Sequence, residues 1–259
     1  TVIKTNAVQE HQAAGIDTNW ERIVQEIKKG IPVLRATEVD GTIIKNAANL
    51  LIYLVDALAT SRLPEKIVQY CQQAQAMFSE NTALAGRIIA EVIESNSAHS
   101  DNISLPEMSE GFFVFLAWSA LSDALEPLKK QVAQLLKDHQ WRKGYCPVCG
   151  QLPAMGQLVR TKKGRERVLV CGCCQMKWQY RRIGCPYCGN NEQETLKIIG
   201  LVDEPDLRID TCEKCKCYLK TYTNEDNEEV ALADWSTLHL DLIGKKHGFK
   251  RIGYRMYDV

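Results

Sequence analysis

Cysteine is concentrated in one part of the chain. The 259 residues include 11 cysteines, and all except Cys71 fall between Cys146 and Cys217. Most of them form pairs separated by two residues, so that one tight turn can direct both sulfurs at the same metal ion. The four pairs are Cys146 with Cys149, Cys171 with Cys174, Cys185 with Cys188, and Cys212 with Cys215. Because a tetrahedral thiolate site takes four sulfurs, this pattern predicts two metal sites.

The spacing between the pairs indicates how they combine. Residues 150–170 separate the first pair from the second, and residues 189–211 separate the third from the fourth. Either segment is long enough for a β-hairpin that brings its two pairs together, and residues 175–184 then link the two modules. The simplest assignment is sequential, with Cys146, Cys149, Cys171 and Cys174 on one ion and Cys185, Cys188, Cys212 and Cys215 on the other.

Two cysteines are left over by this assignment. In the segment CGCC only the outer cysteines have the two-residue spacing, which leaves Cys173 without a metal. The segment CEKCKC leaves out Cys217 in the same way. Both are interpreted as bystanders, and the alternatives are spare ligands or reactive thiols beside an electropositive site.

Two tandem sites of this kind are a specific signal, whereas a single pair could equally be a thioredoxin-like redox motif. Four thiolates suit iron as well as zinc, so the predicted cofactors are two ions of iron or zinc. Their expected role is structural, because the surrounding segments have too few apolar residues to fold alone. The sequence shows no Ser/His/Asp set, phosphate-binding loop or paired catalytic carboxylates, and we do not expect an enzyme.

The composition favours a soluble protein in a reducing compartment. Apolar residues make up 45% of the chain and charged residues 25%, as in ordinary globular proteins. The first 15 residues do not resemble a secretory signal, and the longest apolar run, residues 111–117, is too short to cross a bilayer. Clustered cysteines in such a chain favour metal sites over a disulfide framework. We therefore predict a cytoplasmic protein without membrane insertion.

The first half of the chain has the apolar periodicity of helices. The first predicted helix is capped by Asn19 and ends at Gly30, with apolar residues at i, i+3, i+4 and i+7 between them. Further helical patterns cover residues 41–60, 64–78, 82–95, 111–125 and 125–141. Residues 1–140 are therefore predicted to form a bundle of roughly five to seven helices.

The second half alternates short β-prone runs with cysteine pairs. The runs are residues 165–170, 177–184 and 196–202. A helix is predicted near the C-terminus, with one apolar face packed across the metal modules and formed by Val230, Leu232, Trp235, Leu238 and Leu242. The predicted fold class is α+β: an α-helical domain over 1–140, a zinc-ribbon-type module over 141–184, and a second module with the C-terminal helix over 185–259.

The order of these motifs resembles that of the formate dehydrogenase accessory protein (FdhE) family. The motifs are residues 146–155, 171–174, 178–189 and 212–220, and the apolar helix near residue 115 and the closing segment 230–241 are also similar to the family. The resemblance implies a cytoplasmic accessory protein with a helical domain and two rubredoxin-like modules, whose functional residues are the four cysteine pairs. It also implies a partner, the catalytic subunit of a molybdenum- or tungsten-dependent formate dehydrogenase, bound during maturation.

The chain departs from the family pattern in two ways. Cys173 and Cys217 are not expected in it. The turns after the second and fourth pairs have Gln175 and Lys216 where the first and third pairs are followed by glycine, so these turns are expected to differ.

The charge distribution leaves other functions open. Residues 1–140 have 12 basic and 17 acidic residues, a net of −5, and residues 141–259 have 20 and 15, a net of +5. A basic patch that could contact phosphates or an acidic protein surface has as candidates Arg160, Lys162, Lys163, Arg165, Arg167, Arg181 and Arg182. The alternative functions are therefore a zinc-ribbon nucleic-acid-binding protein and a rubredoxin-like redox or electron-transfer protein. Nucleic acid is an unlikely partner, because two four-thiolate sites of charge −2 would reduce +5 to about +1.

Overall fold

The structure is a computed structural model and describes residues 19–36, 41–94, 110–162, 164–223 and 234–253. The helices of the first half are α1 Trp20–Lys29, α2 Val33–Ala36, α3 Gly41–Ala59, α4 Glu65–Glu80, α5 Leu84–Glu94, α6 Glu110–Ala124 and α7 Glu126–Asp138. The strands are β1 Pro153–Thr161, β2 Gly164–Cys171, β3 Lys177–Tyr180, β4 Leu196–Gly200, β5 Leu207–Cys212 and β6 Cys217–Tyr222, and helix α8 covers Leu238–Lys246. The predicted α+β class is confirmed.

Helix α1 begins and ends at the predicted residues. The side chain of Asn19 accepts a hydrogen bond from the backbone N–H of Arg22 at 3.1 Å, which satisfies a donor in the first turn. Gly30 is left-handed, with φ of 83°, and its N–H returns to the carbonyls of the last turn. Ile23 and Ile27, one turn apart, are buried against the rest of the bundle.

Helix α3 is the centre of the bundle. It packs against α4, α5 and α6. Its buried positions, Ile43, Ala47, Leu51 and Val55, repeat every four residues and so lie along one side of the helix. Because its neighbours cover that side, α3 organises the apolar core of the helical half.

Helix α3 is also long and apolar enough, by length and composition alone, to cross a membrane. Within the described part of the chain, α6 and α7 together pass the same test as a pair bent by 60°. Length and composition alone are weak evidence for a membrane span, because the core helix of a soluble protein passes the same test.

The strands form one sheet in the order β3-β2-β1-β6-β5-β4. Strands β1 to β3 come from the first cysteine module and β4 to β6 from the second, and each set pairs antiparallel. The two sets meet where β1 pairs parallel with β6, with Gly156 opposite Thr221. A Cβ at Gly156 would lie 2.8 Å from the Thr221 hydroxyl, so this close approach requires glycine. Residues 181–184, predicted as strand, follow the end of β3.

The predicted apolar face of the C-terminal helix is wrong. Leu240 is fully buried, and it packs with Ile209 of β5. By contrast, Trp235 is 43% exposed, Leu238 50% and Leu242 71%. Val230 and Leu232 lie outside the described residues. Apolar residues lie on two sides of this segment. The predicted face, with Leu238 and Leu242, is the exposed side, and Leu240 lies on the buried side.

A buried cluster of charges holds helix α8 to the sheet. Lys220 of β6 is fully buried, and its ammonium lies 2.7 Å from a carboxylate oxygen of Asp234 and 2.9 Å from one of Asp241. Arg251 pairs with the same two carboxylates, at 2.7 and 3.0 Å. Burial lowers the pKa of Lys220, while the two carboxylates oppose that effect. The four charges therefore satisfy one another in a region that excludes water.

Replacing Lys220 by Met should remove one of the two cations that the described residues place beside Asp234 and Asp241, the other being Arg251. Removing one member of a buried ion pair typically costs about 3–5 kcal/mol, and we expect that loss in the free energy of unfolding measured with urea. The exposed Lys245 in α8 provides the matched control. Lys245→Met should change the free energy of unfolding by less than about 0.5 kcal/mol. Equal stabilities for the two variants would contradict the role given to the cluster.

Candidate metal centres

The residue after the second cysteine has a left-handed backbone in all four cysteine turns. In the first and third turns the residue after the second cysteine is Gly150 or Gly189, with φ of 82° and 74°. In the other two turns the same place is taken by Gln175 and Lys216, with φ of 60° and 54°. At this position the two turns therefore have the same left-handed backbone as the turns with glycine. Residues other than glycine are strained in this conformation, at a cost of about 1–2 kcal/mol each, so the sulfur positions outweigh the local backbone preference.

The first cluster contains Cys146, Cys149, Cys171 and Cys174, whose sulfur atoms all lie within 4.8 Å of one another. The Sγ atoms of Cys146 and Cys174 are 3.5 Å apart, and those of Cys149 and Cys171 are 3.4 Å apart. The β1–β2 hairpin brings the two pairs together, because the first pair precedes β1 and the second begins at the end of β2.

The second cluster repeats this arrangement. It contains Cys185, Cys188, Cys212 and Cys215, again with all four sulfurs within 4.8 Å. The Sγ distances are 3.6 Å between Cys185 and Cys215 and 3.7 Å between Cys188 and Cys212. Here the β4–β5 hairpin returns the second pair to the first.

These distances fit a tetrahedral ion. Four sulfurs about 2.3 Å from one central ion are separated by about 3.8 Å, close to the spacing in both clusters. Zinc and iron share that geometry, so either could be held. The structure thus has two groups of four cysteines that could each hold one metal ion.

Hydrogen bonds to the sulfurs prepare them to carry negative charge. The backbone N–H groups of Val148 and Cys173 point at the sulfurs of Cys146 and Cys171, at 3.4 Å each. In the second cluster the amide of Asn190 donates to the sulfur of Cys212 at 3.4 Å. Burial raises the pKa of Cys212, but this bond and backbone N–H groups outweigh it and lower the pKa to about 7.

The first cluster is enclosed by the helical half. Its four cysteines belong to the same apolar core as the helices. Helix α2 donates two backbone hydrogen bonds to the turn of the first pair, from Val33 and Leu34, at 2.9 Å each. The hydroxyl of Ser122 and the ammonium of Lys129 both donate to the carbonyl of Cys174. Apolar and polar contacts thus connect residues on the two sides of the domain boundary predicted at residue 140. The domain boundaries themselves stay predictions.

The second cluster lies at the surface. Cys188 is exposed and Cys215 is partly exposed, whereas all four cysteines of the first cluster are buried. Solvent and small molecules can therefore reach Cys188 and, in part, Cys215 of the second cluster. This difference in access is the clearest distinction between two otherwise similar sites.

The two remaining cysteines lie beside the clusters and outside them. The sulfur of Cys173 is fully buried, and burial is the main cause that raises its pKa well above the usual value. Cys217 pairs with Cys212 across β5 and β6, and its thiol donates to the carbonyl of Cys215 at 3.3 Å. Among the described residues, neither Cys173 nor Cys217 belongs to a group of cysteines that could hold one metal ion.

Arg167 does not belong to an exposed basic patch. Its side chain is only 3% exposed, and its guanidinium donates to the carbonyl of Gly184 at 2.9 Å and to Asp210 at 3.1 Å. Because Arg167 lies on β2 and Asp210 on β5, this ion pair ties the two modules together. Its inclusion in the predicted patch is corrected accordingly.

The other candidates for the patch lie in two segments, the β1–β2 hairpin and the residues that follow β3. Arg160 and Arg165 face each other across the β1–β2 hairpin, next to the exposed Lys162 at its tip. Lys163 lies outside the described residues. Arg181 donates to the carbonyl of Gly189 at 2.6 Å and lies over the ring of Tyr180, and Arg182 is exposed.

The polar residues around the second cluster were not among the predicted site residues. Asn190 follows the third cysteine turn, and its side chain contacts a cysteine sulfur and also the hydroxyl of Thr195 at 2.7 Å. Asp210 accepts hydrogen bonds from Arg167, Arg208 and Thr221. An Asn directly after a cysteine turn could have been noticed, whereas the network of Asp210 depends on pairing between distant strands.

Comparisons with known proteins confirm the resemblance to the FdhE family. A family model described as the C-terminal domain of FdhE matches residues 183–257. An FdhE homologue of Aquifex aeolicus is 26% identical over 250 residues, which cover 95% of this chain and 81% of that protein. One from Shewanella baltica is 35% identical over 107 residues, which cover 40% of this chain and about a third (35%) of that protein.

A solved structure has the same fold. The crystal structure of the FdhE protein from Pseudomonas aeruginosa matches with a TM-score of 0.63 at 20% identity, over 96% of this chain and 83% of that chain. The likeness extends over the helical half and both cysteine modules, since it covers nearly the whole chain. At this level of identity it supports the fold.

Replacing Cys146 or Cys185 by Ser should reduce the bound metal from two ions per chain to one, because a tetrahedral site with one thiolate missing holds its ion poorly. Elemental analysis of protein purified without added metal would measure the content. The matched control is Cys173→Ser, a change at an equally buried cysteine outside the clusters, and it should retain both ions. One ion in this control would overturn the assignment of the first cluster.

A chelator should remove the two ions at different rates. We expect release from the exposed second cluster to be at least about tenfold faster, because the buried first cluster must wait for a local opening. The released metal can be followed with a chromogenic chelator. The Cys146→Ser variant should show only the fast phase and Cys185→Ser only the slow one, and the reverse assignment would contradict the role given to burial.

Proposed function

Because the chain resembles FdhE proteins along nearly its whole length, we propose that it is an accessory protein of formate dehydrogenase. Its partner is the catalytic subunit of a molybdenum- or tungsten-dependent enzyme, bound in the cytoplasm during assembly. The observation that carries the proposal is the combination of this resemblance with two four-cysteine clusters in the order of the family's motifs.

The eight clustered cysteines hold two metal ions in this proposal. The sulfur spacings of 3.4–3.7 Å suit tetrahedral iron or zinc, and a cation would offset the charge of thiolates that are otherwise costly to bury. Without a metal, burial raises the pKa of Cys146 and Cys149 well above the usual value, whereas at Cys171 burial is outweighed by hydrogen bonds from the neighbouring cysteines, which lower the pKa. The ions would therefore hold the cysteine turns together, above all those of the exposed second cluster.

Binding rather than catalysis follows from the same ligand set. An ion with four thiolate ligands has no open position for substrate or water, so it cannot act as a Lewis acid without losing a ligand. The protein would then act through its surfaces, by holding an immature enzyme subunit. The helical half and the outer face of the second module provide those surfaces.

A redox function for the second cluster is the candidate that ranks next. Its support is the exposure of Cys188, since electron transfer to a partner requires a centre near the surface. With iron bound, this centre would cycle between the ferrous and ferric states. The buried first cluster lacks such access and would keep a structural role.

Affinity capture tests the main proposal. Tagged protein, used anaerobically in a nuclease-treated lysate of the host, should retain the catalytic subunit of formate dehydrogenase. Cys146→Ser and Cys185→Ser should lose most of that subunit because the modules lose a metal, whereas Cys173→Ser should retain it as well as the wild type. Retention of nucleic-acid-binding machinery in place of the enzyme subunit would refute the proposal.

A further inference from the structure

A cavity of about 220 Å³ lies beside the second cysteine cluster. Its inner wall is buried and contains Cys185, Cys212, Cys217, Leu219 and Arg167. Its rim, Arg182, Ile183, Lys197 and Ile198, is exposed to solvent. The cavity therefore opens between strand β4 and the segment that leads into the third cysteine turn.

The size and walls of the cavity favour a single apolar side chain as its occupant. Pockets for cofactors and drug-sized ligands usually measure roughly 300–1,000 Å³, and this one is smaller. Leu196, Ile198, Ile183 and Leu219 contribute apolar wall. Ile183 is 47% exposed and Ile198 60%, so the apolar surface continues from the cavity onto the rim.

The charges differ between the inner wall and the rim. On the inner wall Asp210 is already paired with Arg167 at 3.1 Å and with Arg208 at 2.9 Å, so these charges satisfy one another. On the rim, Arg182 and Lys197 form no ion pair within the part of the chain that the structure describes. Negative groups would therefore be attracted to the rim, outside the apolar cavity.

Strand β4 offers backbone hydrogen bonds at the same place. It is the last strand of the sheet as described, and it pairs only with β5. The N–H and C=O groups along its other side can pair with an added extended chain. Side chains of such a chain alternate between the two faces of the sheet, so one face would point toward the cavity.

We propose that the cavity and the outer edge of β4 dock an extended segment of a partner protein. One apolar side chain of that segment enters the cavity, and acidic side chains beside it pair with Arg182 and Lys197. This inference deepens the proposed function, on which it rests for the identity of the partner, by assigning the client a docking position on the second module.

The recognition chemistry can be tested with short peptides. The probe is a blocked, fluorescein-labelled peptide with a central leucine flanked by glutamates, and its binding to the full chain is measured by fluorescence anisotropy. A peptide with glutamines in place of the glutamates, and one with glycine in place of the leucine, should each bind about fivefold more weakly or worse. No saturable binding of the first peptide up to millimolar concentration would overturn the inference.

Variants of the protein locate the site. The double variant Arg182→Gln/Lys197→Gln changes only exposed side chains and should weaken binding of the glutamate peptide by about fivefold. The matched control, Lys245→Gln/Lys246→Gln, removes two exposed charges that do not line the cavity and should change Kd by less than about twofold. Equal losses in the two double variants would indicate diffuse attraction between charges and overturn the assignment of the site.

The same double variant separates this inference from the proposed function. If the variant fails to capture the catalytic subunit that the wild type and the control retain, both are supported. If all three capture it equally, docking at this cavity is wrong while the accessory function stands. If none of them captures it, the proposed function fails, and the peptide measurement then decides the docking chemistry alone.

Discussion

The placement of four sulfur atoms within 4.8 Å of one another is the constraint on which the second half of the chain depends. As thiolates they would repel one another unless a cation lies between them, and as thiols they would contribute little to folding. The turns are shaped to meet this constraint. Gln175 and Lys216 accept a left-handed backbone that glycine would adopt without strain, because the turn must direct both cysteines of its pair to one point.

Burial distinguishes two clusters that share their ligands and geometry. The first is part of the core of the helical half, where Lys129 and Ser122 hold the carbonyl of Cys174. Its folding and that of the helices are therefore expected to be coupled. The second cluster lies at the surface with Cys188 exposed, beside a cavity whose rim contains the basic side chains of Arg182 and Lys197. These environments favour a structural role for the buried first cluster and contact with a partner for the exposed second cluster.

The sequence was sufficient to predict features that depend on residues close together in the chain. The grouping of the cysteines, the cap at Asn19 and the end of α1 at Gly30 each depend on a few neighbouring residues. The inward face of α8 could not be chosen in this way, because two apolar stripes fit a helical period and Leu240 is buried only through contact with β5. The burial of Arg167 likewise depends on Asp210, 43 residues later in the chain.

The parallel pairing of β1 with β6 has the largest consequence for function. It joins strands from the two modules into one sheet, and the ion pair between Arg167 and Asp210 spans the same junction. Two ribbons joined only by residues 175–184 could move independently, whereas strands in one hydrogen-bonded sheet share a register. A partner that docks at β4 would therefore meet a surface held at a defined distance from the helical half. A rigid surface of this kind loses little conformational entropy on binding, which would suit the proposed accessory function.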